Sequence, residues 1–343
     1  MSAGAPRSAE HRPGAGDPPG VLLLTDPAME RHAAVGHPER HERLAAVAEG
    51  VESGAAAAGA DLIARSPRPA DDPAILAIHD SNYLRELDDI DQSGGGWIDG
   101  DTYVAPGSMT AARLAAGGAL DAALAVARGE VRLAFAVVRP PGHHAATDRA
   151  AGFCLLNNVA IAAAGLRREG LAQRIAIVDW DVHHGDGTQE IFEEDPDLLY
   201  LSTHQRPLYP GTGAPDEQGI GPARGTKHNV ALAPGSGDDE FVSAWSAQLA
   251  PALHAFRPEA VLVSAGYDAH RDDPLAHLAV TERGFEAVAR LIGQTASNLG
   301  LPGIAVVLEG GYDLRALQAS VAATVEGLLA GLTGESGAIG TSI

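Results

Sequence analysis

Ile175-Ala176-Ile177-Val178-Asp179-Trp180-Asp181-Val182-His183-His184-Gly185-Asp186-Gly187 passes from an apolar run straight into three carboxylates and two imidazoles within eight positions. The apolar half suits a strand buried on both faces, as in a parallel sheet. The charged half is costly to bury unless a cation or mutual hydrogen bonds satisfy it. In an extended stretch alternate residues point the same way, so Asp181 and His183 share a face. One oxygen and one nitrogen ligand on one face begin a site for a zinc-class ion. The plainer alternative is a polar, hydrogen-bonded strand end.

Outward from this stretch, apolar β-rich runs alternate with amphipathic helices. The strand candidates are Val21–Thr25, Leu133–Val138, Arg174–Asp179, Leu198–Thr203, Asn229–Leu232, Ala260–Ser264 and Gly303–Leu308. Pro38 suits a first helical turn, with Glu39 at its positive end. Asp238 suits the cap of a helix with the stripe Phe241, Trp245, Leu249, Leu253 and Phe256. Further helices are expected from Thr281 to about Asn298 and from Asp313 to about Leu332. The alternation predicts an α/β fold: three layers, α/β/α, around a central, mostly parallel sheet. Without a repeat, heptad or linker to divide it, the span 21–332 is expected to be one domain. It would lie between a disordered Pro/Gly/Ala-rich leader (1–20) and a loose tail (333–343). In such folds ligands bind beyond the carboxyl ends of the strands, so chemistry-bearing residues should cluster there.

They do. Ala260–Ser264 leads into Ala265-Gly266-Tyr267-Asp268. An Asp after a strand commonly caps a helix, but beside the first segment Asp268 reads as a third ligand. Two Asp and one His leave coordination positions open, as a catalytic ion requires. Leu133–Val138 leads into Arg139-Pro140-Pro141-Gly142-His143-His144, where adjacent histidines on a stiff loop are acid–base candidates. A second metal site or a merely polar loop is the alternative there. Ile304–Leu308 runs into Glu309-Gly310-Gly311-Tyr312-Asp313. The paired glycines permit a tight turn that would present the Tyr312 hydroxyl to a developing oxyanion, although such a triplet is often just a turn.

Composition narrows the classes. The 343 residues are 45% hydrophobic and 4% aromatic, so Ala, Val and Leu must build most of a sizeable core. A net charge of −21 argues against nucleic acid or anionic lipid as partners and is compatible with cationic substrates. The single cysteine, Cys154, excludes an internal disulfide and suits a reducing cytoplasm. The first 20 residues lack a signal peptide's apolar region. No stretch is expected to approach the length of a membrane span, Val159–Leu166 being too short.

Together these segments resemble the zinc-dependent histone deacetylase family, including its bacterial class II-like and acetylpolyamine members, on the arginase–deacetylase fold. The resemblance covers about 21–332. It is carried by Arg139–His144, Gly152-Phe153-Cys154, Val178–Gly187, Tyr209-Pro210-Gly211-Thr212-Gly213, Ser264–Asp268 and Glu309–Tyr312, six motifs in order. It implies that Asp181, His183 and Asp268 hold one zinc ion, with ferrous iron left open. It makes His144 the general base and then acid, His143 its electrostatic partner, and Tyr312 the group that polarises the acyl carbonyl. Asp179 and Asp186 would hydrogen-bond the tandem imidazoles. Phe153, beside Gly152, and Tyr209 would wall a narrow tunnel. Asp101 would grip substrate backbone at the rim. A structural potassium ion would sit at Asp179, Asp181, His183, Ser202 and Thr203, largely on carbonyl oxygens. The rim itself is expected from segments 92–109 and 205–228.

The implied reaction is hydrolysis of acetyl or short acyl amides of lysine, polyamines or small amines. Leu275 stands where polyamine-specialised relatives can carry an acid, which speaks against a strict polyamine preference through that position. Homo-oligomer formation is left open. A two-metal ureohydrolase is the rival on the same fold, but Gly185 and His270 stand where further carboxylate ligands would be needed. A Cys154 hydrolase is the weaker rival, since that residue reads as packing. A non-catalytic acyl-amine binder, from a different class, would be expected to have lost the tyrosine or a histidine, and both are present.

Overall fold

Runs such as Ile304-Ala305-Val306-Val307-Leu308 offer water nothing on either face, and each fully buried Val, Leu or Ile adds about 1.5–3 kcal/mol when covered on both sides. The computed structural model describes residues Gly20–Gly334, and it uses these runs in that way. Most of the expected leader and tail fall outside the described residues.

In chain order the elements are β1 (Gly20–Leu24), α1 (Glu42–Ala57), β2 (Asp61–Arg65), α2 (Asp72–Ile75), α3 (Ser81–Gln92), β3 (Gly96–Trp97), β4 (Tyr103–Val104) and α4 (Ser108–Ala127). They continue with β5 (Leu133–Ala136), α5 (Asn158–Arg168), β6 (Ile175–Asp179), α6 (Asp186–Ile191), β7 (Leu198–Gln205), β8 (Lys227–Leu232) and α7 (Asp238–Ala244). The last are α8 (Ala250–Phe256), β9 (Ala260–Ala265), α9 (Glu282–Asn298), β10 (Ile304–Leu308) and α10 (Leu314–Thr333).

Eight strands form one sheet in the order β2-β1-β5-β10-β9-β6-β7-β8, every neighbour parallel. Helices α1, α9 and α10 pack together, as do α4 and α5, and these groups form the outer layers of the three-layer fold. The four central strands, β5, β10, β9 and β6, are those whose carboxyl ends carry the chemistry-bearing loops. In register, Asp179 at the end of β6 lies opposite Ser264 of β9 and Ser202 of β7, so the loops leave the sheet at one level.

Every expected strand is present within a few residues. Four expectations are corrected. Pro38 and Glu39 lie outside a helix; α1 starts at Glu42, because the Glu39 carboxylate is held by the Arg43 and Arg139 guanidiniums. Gly237, rather than Asp238, caps α7, while Asp238 accepts from the Thr281 backbone and hydroxyl. The stripe from Phe241 to Leu253 is buried, but its four-residue spacing drifts on a regular helix. A π-turn over Trp245–Leu249, ahead of Pro251, absorbs the drift. Finally, α4 and α10 are each 20 residues long and apolar enough to cross a bilayer, contrary to the expected absence of such a stretch. They bury 89% and 61% of their apolar windows against the rest of the protein.

Candidate active site

Beyond Asp179 the backbone leaves the strand in bends, not in the extended form assumed from sequence, yet Asp181 and His183 still converge. Among the described residues, ligand atoms of Asp181, His183 and Asp268 lie within 4.8 Å of one another. His183 Nδ1 is 3.2 Å from both Asp181 Oδ1 and Asp268 Oδ2. Backbone N–H groups orient the carboxylates: Gly310 N donates to Asp181 Oδ2 at 2.8 Å and Val182 N to Asp268 Oδ1 at 2.9 Å. Gly266 and Gly310 are required because a Cβ at either would run into these carboxylates.

Burial opposes ionisation of Asp181, yet the charge of His143 and the contacts with His183 hold it well below the carboxylate range. Burial, reinforced by the charge of Asp181, pushes Asp268 up. Burial also opposes charging of His183, but its hydrogen bonds to the two aspartates raise it to about 10. A proton there meets a demand for positive charge. A divalent cation would meet the same demand with two carboxylate oxygens and one imidazole nitrogen, a donor set that fits zinc.

The histidine loop after β5 stands beside this group. His143 Nδ1 lies 3.1 Å from Asp179 Oδ2, and His144 Nδ1 lies 2.7 Å from Asp186 Oδ1. The imidazoles, with centroids 4.0 Å apart, are driven in opposite directions. Against the penalty of burial, Asp181 and Asp179 raise His143 well above the ordinary value. Burial and the adjacent His143 charge lower His144 to about 4. A dication at the ligand group would weaken the first effect, because it offsets those carboxylates. His144 is thereby a neutral imidazole with Nδ1 engaged.

Tyr312 closes the opposite side. Its amide donates to Asp273 Oδ2 at 2.7 Å, and the Arg43 guanidinium lies 5.0 Å from its ring centroid. Burial and the Asp268 charge push the phenol well above 10, so it is a donor at neutral pH. Phe153 stands edge-on to Tyr312 at 5.9 Å, and Tyr209 edge-on to His144 at 5.1 Å. Phe153 holds a left-handed φ of 70°, which is uncommon for a bulky residue, and its amide donates to Thr102 Oγ1 at 3.1 Å. Gly152 is left-handed too, and a Cβ there would strike the His144 ring.

Asp101, His143, His144, Gly152, Phe153, His183, Tyr209, Leu275 and Tyr312 all line one cavity of about 230 Å³. All five residues expected to contact substrate are thus brought together around the histidine pair. Asp99 Oδ1 accepts from the amides of Asp101 and Thr102, which shapes the rim turn between β3 and β4. Asp179 ends β6 opposite Ser202, and Thr203 follows within β7. There the Ser202 hydroxyl meets His204 and the Thr203 hydroxyl accepts from Trp245. Cys154 is buried, and burial pushes its thiol well above the ordinary range, which suits packing and not nucleophilic attack. His270 lies against Asp272 and Glu282.

Several supports were missed in the sequence. Glu39 binds Arg139 through both carboxylate oxygens, at 2.8 and 2.6 Å, and Arg43 at 3.1 Å. Arg43 in turn donates to the carbonyls of Glu309 and Gly311, fixing the turn before Tyr312. Asp273 links that turn to the rim, accepting from Leu275 N at 2.9 Å as well as from Tyr312 N. Burial pushes both Asp273 and Glu309 up to about 7. Glu309 stood inside a recognised motif, but nothing local showed what its side chain reaches.

Residues 37–328 match the family model described as the histone deacetylase domain. A protein named "Probable deacetylase" from Archaeoglobus fulgidus is 41% identical over 313 residues, 91% of this chain and 86% of the relative. The histone deacetylase-like amidohydrolase of Pseudomonas aeruginosa is 36% identical over 303 residues, 87% of this chain and 78% of the relative. The crystal structure of the HDA15 HD domain is similar with a TM-score of 0.85 at 38% identity, over 92% of this chain and 89% of that one.

Proposed function

The chain belongs to the histone deacetylase family and is a hydrolytic deacetylase; from that premise we propose that it hydrolyses acetyl or short acyl amides of lysine, polyamines or other small amines, using one zinc-class ion held by Asp181, His183 and Asp268. One observation carries this reading. Three converging metal-type ligands stand beside a narrow cavity whose wall also holds a neutral imidazole and a protonated phenol. Ferrous iron is an alternative occupant of the same donor set. When bound, the ion supplies Lewis acidity, lowering the pKa of water and polarising the amide carbonyl.

The side chains manage the rest. Asp186 engages His144 Nδ1, which leaves Nε2 as the atom that accepts a proton from the attacking water. The same nitrogen then returns the proton to the departing amine. His143, held by Asp179, lies against His144 in a buried pair, and burial favours the neutral form of His144 before attack. Tyr312 donates its phenolic proton in a hydrogen bond to the acyl oxygen as negative charge develops there. Phe153 and Tyr209 confine the extended stem of the substrate and exclude water. Asp101 accepts from substrate at the rim. We also propose a structural potassium ion on oxygens of Asp179, Asp181, His183, Ser202 and Thr203, and one deacetylase domain spanning 21–332. A reducing cytoplasm suits the lone, buried Cys154.

The substrate class is an acetylated lysine peptide, an acetylpolyamine or another small acylated amine. At the mouth, Leu275 offers no charge to a second ammonium, which favours lysine or an uncharged acyl amine over a strict polyamine preference. The test compares kcat/KM for acetyl-lysine peptide, acetylspermidine and longer acyl-lysines. A preference of tenfold or more, about 1.4 kcal/mol, identifies the class, and full turnover in excess chelator contradicts the metal-dependent reading.

A further inference from the structure

The backbone of the loop that carries the histidine pair is gripped mainly by uncharged partners. Asn158 Nδ2 donates to the Pro140 carbonyl at 3.1 Å and Asn157 Nδ2 to that of Ala145 at 3.0 Å. Thr188 N donates to the His143 carbonyl at 3.0 Å. The loop runs close against the start of α5, since a Cβ at Gly142 would lie 2.5 Å from the Asn158 backbone nitrogen. One contact differs in kind. The consecutive amides of Gly142 and His143 converge on a single carboxylate oxygen, Glu309 Oε2, at 2.6 and 3.1 Å. Glu309 Oε1 accepts from Ser264 Oγ at 3.1 Å, so both oxygens act as acceptors.

Glu309 is fully buried, and the nearby Arg43 guanidinium binds its carbonyl, not its carboxylate. Burying a carboxylate that no guanidinium pairs is expensive, even with the His143 ring nearby, and such a group persists where its hydrogen bonds require it. Its position in the chain supplies the reason. Three residues beyond it, across a Gly-Gly turn pinned by Arg43, stands Tyr312. One residue thus holds the histidine loop through its side chain and leads into the tyrosine through its backbone.

We propose that Glu309 is a positioning residue for the deacetylation, setting the distance between the His143–His144 pair and Tyr312 by its reach to the Gly142 and His143 amides. The inference rests on the roles given above to His144 and Tyr312. Reach can be separated from charge. Glu309→Gln keeps the length and one acceptor oxygen for the two amides, while its amide group can donate to Ser264 Oγ. Glu309→Asp keeps the charge but is one methylene too short.

The experiment measures kcat and KM on an acetyl-lysine peptide for zinc-loaded wild type, Glu309→Gln, Glu309→Asp and His144→Ala, with zinc content and melting curves for each. Glu309→Gln is expected within about threefold of wild-type kcat. Glu309→Asp is expected to lose kcat on the order of 100-fold, the effect of displacing reacting groups by about 1 Å, with KM and zinc content little changed. In the zinc-free protein, the ring signals of His143 and His144 should shift in the Asp variant and hold in the Gln variant. Wild-type kcat in Glu309→Asp, or a loss in Glu309→Gln as deep as in Asp, overturns the inference. If the Asp variant does not fold, the Gln result alone decides. Full activity in His144→Ala would instead sink the reading of the site on which the inference rests.

Discussion

Two buried charge clusters adjoin the Gly-Gly-Tyr turn, and they are built on opposite plans. Around Glu39, two guanidiniums enclose one carboxylate. Burial opposes its ionisation, but the charge of Arg139 overrides this and holds Glu39 at about 2. Around Asp181 and Asp268, carboxylates face each other with only imidazoles between them: against burial, His143 and His183 hold Asp181 down, while burial pushes Asp268, Asp273 and Glu309 up. A carboxylate matched by two guanidiniums, set against carboxylates crowded together with only imidazoles beside them, separates a finished structural cluster from one that still demands positive charge. The first is built to stay closed, and the second to take a cation and use it.

The largest effects should come from groups of the open cluster that act on the substrate. His144→Ala is expected to lower kcat by about 10²–10⁴ and Tyr312→Phe by about 10²–10³, each retaining its metal. Kinetics with metal analysis checks both, and wild-type turnover in either variant would break its assignment. The closed cluster should answer in stability. Arg139→Ala leaves the Glu39 charge buried with less compensation and should cost about 3–5 kcal/mol in urea unfolding. In chelator, Asp268→Asn should cost much less, because it relieves the repulsion with Asp181. If the two variants cost the same, the contrast between the clusters fails. Zinc should sharpen it further. At about 100 times its Kd, zinc should stabilise wild type by about 2.7 kcal/mol and leave Asp268→Asn nearly unmoved.

Much of this architecture was legible because the central strands are apolar on both faces and end in charged residues. Strand β2 was missed because it is the sheet's edge and mostly exposed, so its sequence lacks that signature. Ligands and histidines could be read because each motif is local. The Glu39–Arg139 pair and the Arg43–Gly311 contact span 100 and 268 positions and leave no local periodicity. The same holds for the reach of Glu309 to His143 across 166 positions. Pro38 and Glu39 carried a genuine helix-start signal, and a tertiary ion pair overrode it.

A smaller effect concerns pH. Burial lowers His32 to about 3, His79 to about 4 and His204 to about 3, so these rings fold neutral. Below their ordinary value of about 6.5 the unfolded chain binds protons that the folded chain refuses. The contribution of these three rings to stability should therefore be constant above about pH 7 and fall from about pH 6.5 toward 4. The slope is up to about 1.4 kcal/mol per pH unit for each ring. Urea titrations of His204→Gln and wild type at pH 7 and 5 check this, since the variant should lose less on acidification.

The most direct test is a calorimetric titration of zinc into wild type and Asp268→Asn at neutral pH. One tightly bound ion per wild-type chain, with affinity reduced at least about 100-fold in the variant, is the predicted result. Equal affinity and stoichiometry in the two proteins would show that the ion sits elsewhere, and would contradict a centre built on Asp181, His183 and Asp268.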